Sequence, residues 1–292
     1  MKLGLGAVQF GTDYGVSNTN GKTPPLEVSR ILALAKNNGV RFIDTASLYG
    51  ESEEVVGRYV DTDFNIVTKS PVFNVPKISK EEASQLTGSL HRSLARLCQR
   101  PIYGFLIHHS ADLLKEGGNL LLEAMEALKS EGFVQKIGVS VYTAEEIDCI
   151  LNLFRPDIVQ LPVNVFDQRL IFSGHLSKLK RLGVEIHARS IFLQGLLLMD
   201  SENIPEYFSP LKDHLKRYAA FLSKSQLSRL QSALCFVSQI PEIDVAIVGV
   251  SKETELSEIL QALETIPKNV VDMSGFAVSD AAMINPSKWC LG

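Results

Sequence analysis

The feature that most constrains this chain is an alternation repeated eight times. A short β-branched or apolar run is followed each time by a longer amphipathic stretch. The runs lie at 3–8, 41–43, 65–67, 103–107, 134–139, 158–161, 184–187 and 244–248. The stretches lie at 26–38, 52–60, 80–97, 119–130, 144–153, 172–182, 225–238 and 253–265. Strand-like runs and helical periodicity taking turns predict an α/β fold with parallel strands. Eight such units in 292 residues predict a closed (β/α)8 TIM barrel rather than an open sheet or two domains. Gly39, Gly132 and Gly183 each stand where a helix should end and a strand begin, as a left-handed helix stop requires.

No linker or low-complexity stretch divides the chain, so residues 1–292 are expected to form one domain. Residues 197–222 read as an insertion after the seventh strand, expected to act as a flap. Residues 267–292 read as a C-terminal tail. The net charge is -4, with 29 basic and 33 acidic residues and no basic stripe, which argues against nucleic acid as a partner. No run approaches the roughly 20 apolar residues of a membrane span. The N-terminal apolar run is short and Gly-interrupted, so no signal peptide and a cytoplasmic protein are expected. Cys98, Cys149, Cys235 and Cys290 are scattered, which speaks against a zinc site or a disulfide framework. No protein partner can be named from the sequence.

In a TIM barrel the active site lies at the carboxyl ends of the strands. Those ends select Gly11, Thr12, Asp44, Lys69, His108, Ser140, Gln160, Arg189 and Gly249, with Tyr49 in the second loop. Taken singly, Asp44 is explained as a helix cap, Tyr49 as a loop aromatic, Lys69 as a surface charge and His108 as a core histidine. Together they suit one reaction. A carbonyl that receives hydride needs a proton on its oxygen. A phenol with a pKa of about 10 gives one up more easily beside an ammonium. A carboxylate would hold the ammonium, and an imidazole would orient the carbonyl.

These residues resemble a known family. Asp44-Thr45-Ala46-Ser47-Leu48-Tyr49-Gly50-Glu51-Ser52-Glu53, Val67-Thr68-Lys69-Ser70 and Phe105-Leu106-Ile107-His108 are similar to signatures of the aldo-keto reductases. The resemblance implies a metal-free reductase of aldehydes and ketones, with Asp44, Tyr49, Lys69 and His108 as its catalytic set and Tyr49 as proton donor. It also implies a nicotinamide cofactor, with NADP(H) preferred and NAD(H) compatible. Gly11 and Thr12 match a loop on the nicotinamide side. Ser140 and Gln160 match the carboxamide contacts. Gln194 and Gly195 match a loop over the pyrophosphate. Gly249, Ser251 and Lys252 match the adenosine-phosphate site, and Glu258 matches an adenine contact.

The sequence also departs from the family pattern. Val141 and Ile259 replace two expected Asn residues, and Glu255 stands where a basic residue or Gln is usual. Arg189 replaces an aromatic ring expected to stack on the nicotinamide. It is expected to stack there itself, to pair with a carboxylate, or to bind an anionic substrate group. Asp13 and His109 replace apolar pocket residues, which suggests a polar or sugar-like carbonyl substrate. Trp289 is expected either to wall that pocket or to pack the tail onto the barrel. Two other functions compete with the reductase. One is a nicotinamide-sensing regulatory protein with little turnover. The other is a barrel isomerase or lyase with Lys69 as a Schiff-base amine.

Overall fold

A computed structural model describes residues 1–16, 18 and 21–289. Eight parallel strands close into one barrel in sequence order: β1 Lys2–Gly6, β2 Phe42–Asp44, β3 Asn65–Lys69, β4 Ile102–Ile107, β5 Val134–Ser140, β6 Ile158–Pro162, β7 Glu185–Arg189 and β8 Val245–Gly249. Strand β1 pairs with both β2 and β8, which completes the ring. The chain is a single-domain (β/α)8 TIM barrel.

Alternation along each strand divides the apolar residues into two sets. Leu5, Ile43, Ile66, Phe105, Val139, Leu161, Ile186 and Val248 pack into the large cluster between strands and helices. Phe42, Val245 and Ile247 form a separate cluster inside the barrel, as do Val67, Leu106 and Ile158. Two residues beyond an inward position, the next side chain points inward again. Phe42 therefore leads to Asp44, Val67 to Lys69, Leu106 to His108, Ile158 to Gln160 and Ile247 to Gly249. Gly138 is required in this interior, because a Cβ there would lie 1.9 Å from the Ile158 carbonyl oxygen.

The amino-terminal end of the barrel is closed by a polar knot. The Tyr103 hydroxyl donates to Glu185 Oε2 at 2.7 Å, His187 Nε2 bonds Glu185 Oε1 at 2.6 Å, and Lys136 pairs with the same carboxylate. Phe42 packs edge-on against both Tyr103 and His187.

The helices Lys80–Leu97, Asn119–Ser130, Ala144–Leu153 and Glu253–Thr265 lie where periodicity places them. Gly39, Gly132 and Gly183 have φ of 73°, 74° and 74°, the left-handed helix stop their positions called for. The stretch 172–182 divides into Arg169–Phe172 and His175–Arg181, because Gly174 turns the chain at φ 75°. Residues 197–222 are folded and packed. Phe208, Leu215 and Tyr218 are fully buried, and a helix spans Lys212–Ser225. The next helix starts at Arg229, where Ser228 and Gln231 form a capping box. No helix among the described residues is long and apolar enough to cross a membrane.

Candidate active site

Asp44 ends β2 and Lys69 ends β3, so the barrel sets them side by side. Lys69 is 1% exposed and donates to Asp44 Oδ1 at 2.8 Å, Asp44 Oδ2 at 2.7 Å and the Thr45 carbonyl at 2.9 Å. Those three bonds use all the N–H donors of an ammonium. Asp44 also accepts from Gln160 Nε2 at 2.6 Å. Asp44 is thus no helix cap, and Lys69 no surface charge.

Tyr49 is held by the loop that Lys69 grips at Thr45. That loop lies against the first one without a gap. A Cβ on Gly11 would fall 1.9 Å from the Tyr49 carbonyl oxygen and 2.4 Å from the Ser52 nitrogen, so only Gly fits. Ser52 Oγ donates to the Ala7 carbonyl at 2.6 Å and bonds Thr45 Oγ1 at 2.9 Å. Glu53 is 1% exposed and accepts from Thr68 Oγ1 at 2.6 Å and Arg96 Nε at 2.8 Å. It fastens the helix Ser52–Tyr59 to the residue preceding Lys69.

Lys69 Nζ lies 5.1 Å from the centre of the Tyr49 ring, and the His108 ring meets Tyr49 edge-on at 5.7 Å. Burial first, then the Asp44 carboxylate, push the Tyr49 hydroxyl above its ordinary range; Arg189 is the cation that opposes them. Lys69 makes no hydrogen bond to the phenol among the described residues. Its charge is spent on Asp44 and Thr45, while burial itself pulls the ammonium below its usual range. Burial, and then Lys69, pull His108 down to about 4, so it is neutral at pH 7. Its ring makes no hydrogen bond among the described residues, and its Nδ1 is buried without a partner.

A cavity of about 350 Å³ opens from these groups. Asp44, Tyr49, His108, Ser140, Gln160 and Arg189 line one part of it. Gln194, Gly195, Gly249, Ser251 and Glu258 line another part, together with Glu255. Gly11, Thr12 and Lys252 do not line it. Gly11 instead backs the Tyr49 loop, the Thr12 hydroxyl donates to the Val8 carbonyl, and Lys252 is exposed. Asp13, His109 and Trp289 are also absent from the lining. Asp13 and His109 are exposed, and Trp289 packs edge-on against Phe208 at 4.8 Å, holding the tail against residues 197–222. Cys290 lies outside the described residues.

The expectation that Arg189 pairs with a carboxylate is not met. Its guanidinium lies 4.0 Å from the centre of the Tyr142 ring and donates to the Val141 carbonyl at 3.1 Å. It has no carboxylate partner among the described residues. Tyr142 and Gln9 are cavity residues that motif reasoning missed. Tyr142 follows Ser140 by two, so strand alternation already marked it as inward-facing. Gln9 carried no signal. Tyr14 joins the first loop to the seventh: Gln194 Nε2 donates to its hydroxyl at 2.9 Å and the Val16 amide to the Gln194 carbonyl at 3.1 Å.

The polar atoms suit a nicotinamide dinucleotide. The Ser140 hydroxyl has no partner among the described residues, and Gln160 spends its amide N–H on Asp44 and keeps its carbonyl oxygen. Gln9 Oε1 is buried without a partner. Gly249 is the exposed end of β8, where a Cβ would crowd the Gln9 side chain at 2.6 Å.

The chain is similar to known oxidoreductases. The chain is 24% identical over 279 residues to the uncharacterized oxidoreductase YqkF of Bacillus subtilis, covering 89% of this chain and 86% of that one. It is 28% identical over 176 residues to a glyoxal reductase of the same organism, covering 59% of this chain and 60% of the relative. The holo form of the aldo-keto reductase AKR11C1 from Bacillus halodurans superposes with a TM-score of 0.73 at 20% identity, over 94% of this chain and 90% of that one. A model of the Aldo/keto reductase family matches residues 2–274. With nearly the whole barrel inside that match, this chain belongs to the aldo/keto reductase family and is an NAD(P)H-dependent oxidoreductase.

Proposed function

We propose that the chain reduces a small polar aldehyde or ketone, with Tyr49 as the proton donor. The observation that carries this reading is the meeting of Tyr49, His108 and the Lys69–Asp44 pair at one cavity with Ser140 and Gln160. A bound nicotinamide supplies the hydride. Tyr49 is a protonated phenol at neutral pH and releases its proton as charge grows on the carbonyl oxygen. Arg189 is the cation that favours the resulting phenolate. Neutral His108 has one N–H with which to hold the carbonyl oxygen. Lys69 acts on the Tyr49 loop through Thr45, and Asp44 fixes Lys69 and Gln160.

The family's cofactors are nicotinamide dinucleotides, NADP(H) generally. Ser140 and Gln160 would meet the carboxamide, Gln194 and Gly195 the pyrophosphate, and Gly249, Ser251 and Glu258 the adenosine end. Gly11 and Thr12 serve by backing the Tyr49 loop. Lys252 supports NADP(H), whereas the carboxylates beside it favour NAD(H). For the substrate, a guanidinium in the cavity without a carboxylate partner suits a polar or anionic carbonyl compound. The relative named for glyoxal reduction fits such a compound.

A panel of carbonyl compounds, followed by loss of the reduced-nicotinamide absorbance, tests the substrate class. Glyoxal and sugar-derived aldehydes should exceed hydrophobic aromatic aldehydes in kcat/KM. Arg189→Ala should lower kcat/KM for the polar compounds by about tenfold. Faster reduction of aromatic aldehydes, or an unchanged Arg189→Ala enzyme, contradicts it.

A further inference from the structure

The cavity runs from Tyr49 and His108 to the start of the helix Glu253–Thr265, where Ser251, Glu255, Glu258 and Ile259 line it. A helix start is ordinarily a good place for a phosphate, because its backbone N–H groups lack partners and its dipole favours negative charge. Here the chain's own carboxylates have taken that place. The Ser251 N–H donates to Glu255 Oε2 at 2.7 Å, and the Glu253 N–H donates to Glu27 Oε1 at 2.8 Å. Glu27 reaches over from the helix Pro25–Asn37. The Glu253 N–H, together with Arg30 and Lys252, holds its carboxyl below the ordinary range despite partial burial, so it is charged at neutral pH. Glu258 adds a third carboxylate one turn into the helix.

We infer that Glu255, with Glu27 behind it on the Glu253 N–H, makes this chain select NAD(H) over NADP(H). The inference rests on reading the cavity as the dinucleotide site. With the nicotinamide beside Tyr49 and His108, the adenosine ribose falls near Ser251 and Glu255. A free 2′-hydroxyl can donate to a carboxylate there, the use to which nucleotide-binding proteins put an acidic residue. A 2′-phosphate meets the reverse arrangement. Two N–H groups it would seek are already donated, and the carboxylates that accept them repel it. Two cations stand near this turn: Arg30 is paired with Glu27 at 3.1 Å and Lys252 is exposed, and neither they nor Glu27 line the cavity, so Glu255 is the group that meets the ribose.

Calorimetric titration of the purified full-length protein with NADH and with NADPH, at low and high salt, reads this directly. Wild type should bind NADH more tightly by about tenfold or more. The gap should narrow as salt rises. Glu255→Gln should close most of the gap by tightening NADPH, with NADH changed less than about threefold. Glu27→Gln should act in the same direction. Wild-type binding of NADPH as tightly as NADH overturns the selectivity and leaves the cofactor site standing. Binding of neither overturns both.

Discussion

At the scale of single residues, His108 carries the sharpest consequence. It is a half-buried ring beside an ammonium, so protonation is costly and its pKa falls to about 4. If the neutral ring holds the carbonyl oxygen, kcat/KM stays level from pH 7 down to about 5 and falls with an apparent pKa near 4. A fall centred near 6.5, the ordinary value, contradicts this account of the site. The residue scale also shows where sequence reading stops. Asp44, Lys69 and Gln160 were legible because each follows an inward apolar residue by two positions. Asp13 and His109 were misjudged because loop residues have no such periodicity, and both face solvent. The Arg189–Tyr142 stack depends on rotamers at the ends of different strands, which no spacing encodes.

At the scale of elements, the helix Ser52–Tyr59 is what places Tyr49. Its Glu53 is buried and bonds both Thr68 and Arg96, so helix, strand β3 and the helix Lys80–Leu97 meet at one carboxylate. Replacing it by Ala removes one partner of a mostly buried ion pair, which costs about 3 kcal/mol. Denaturant unfolding of Glu53→Ala should register that loss, and activity at a permissive temperature should fall as the Lys69 strand end loosens. A variant as stable as wild type removes Glu53 from this role. The start of the helix Glu253–Thr265 is a second case. Its sequence context suggested an anion site, but Glu27 comes from an element more than two hundred residues earlier, and only the closed barrel brings the two together.

At the scale of the whole molecule, the barrel was legible because two periodicities alternate and glycines mark the joints. Packing of residues 197–222 was not, since it relies on tertiary burial of Phe208 and Tyr218 in a stretch that reads in the sequence as an inserted flap. The barrel floor gives a pH dependence for the fold. Burial raises Glu185, but hydrogen bonds from His187, Lys136 and Tyr103 outweigh it and hold the carboxyl down at about 2, against 4.5 ordinarily. A depressed folded-state pKa contributes stability that is complete above about 4.5 and lost as pH falls toward about 2. The contribution is on the order of 2 kcal/mol. Glu185→Gln should therefore be clearly less stable than wild type at pH 6 in denaturant unfolding, with the difference shrinking at about pH 3. A pH-independent difference sets the linkage aside.

Everything at this site turns on Tyr49 giving the proton. Tyr49→Phe keeps the ring against His108 and under Lys69 and removes only the hydroxyl. Stopped-flow reduction of the best carbonyl substrate, with cofactor binding measured on the same sample, tests it most directly. The hydride-transfer rate should fall at least about a hundredfold, with cofactor affinity unchanged within about twofold. Full reductase activity in Tyr49→Phe contradicts it.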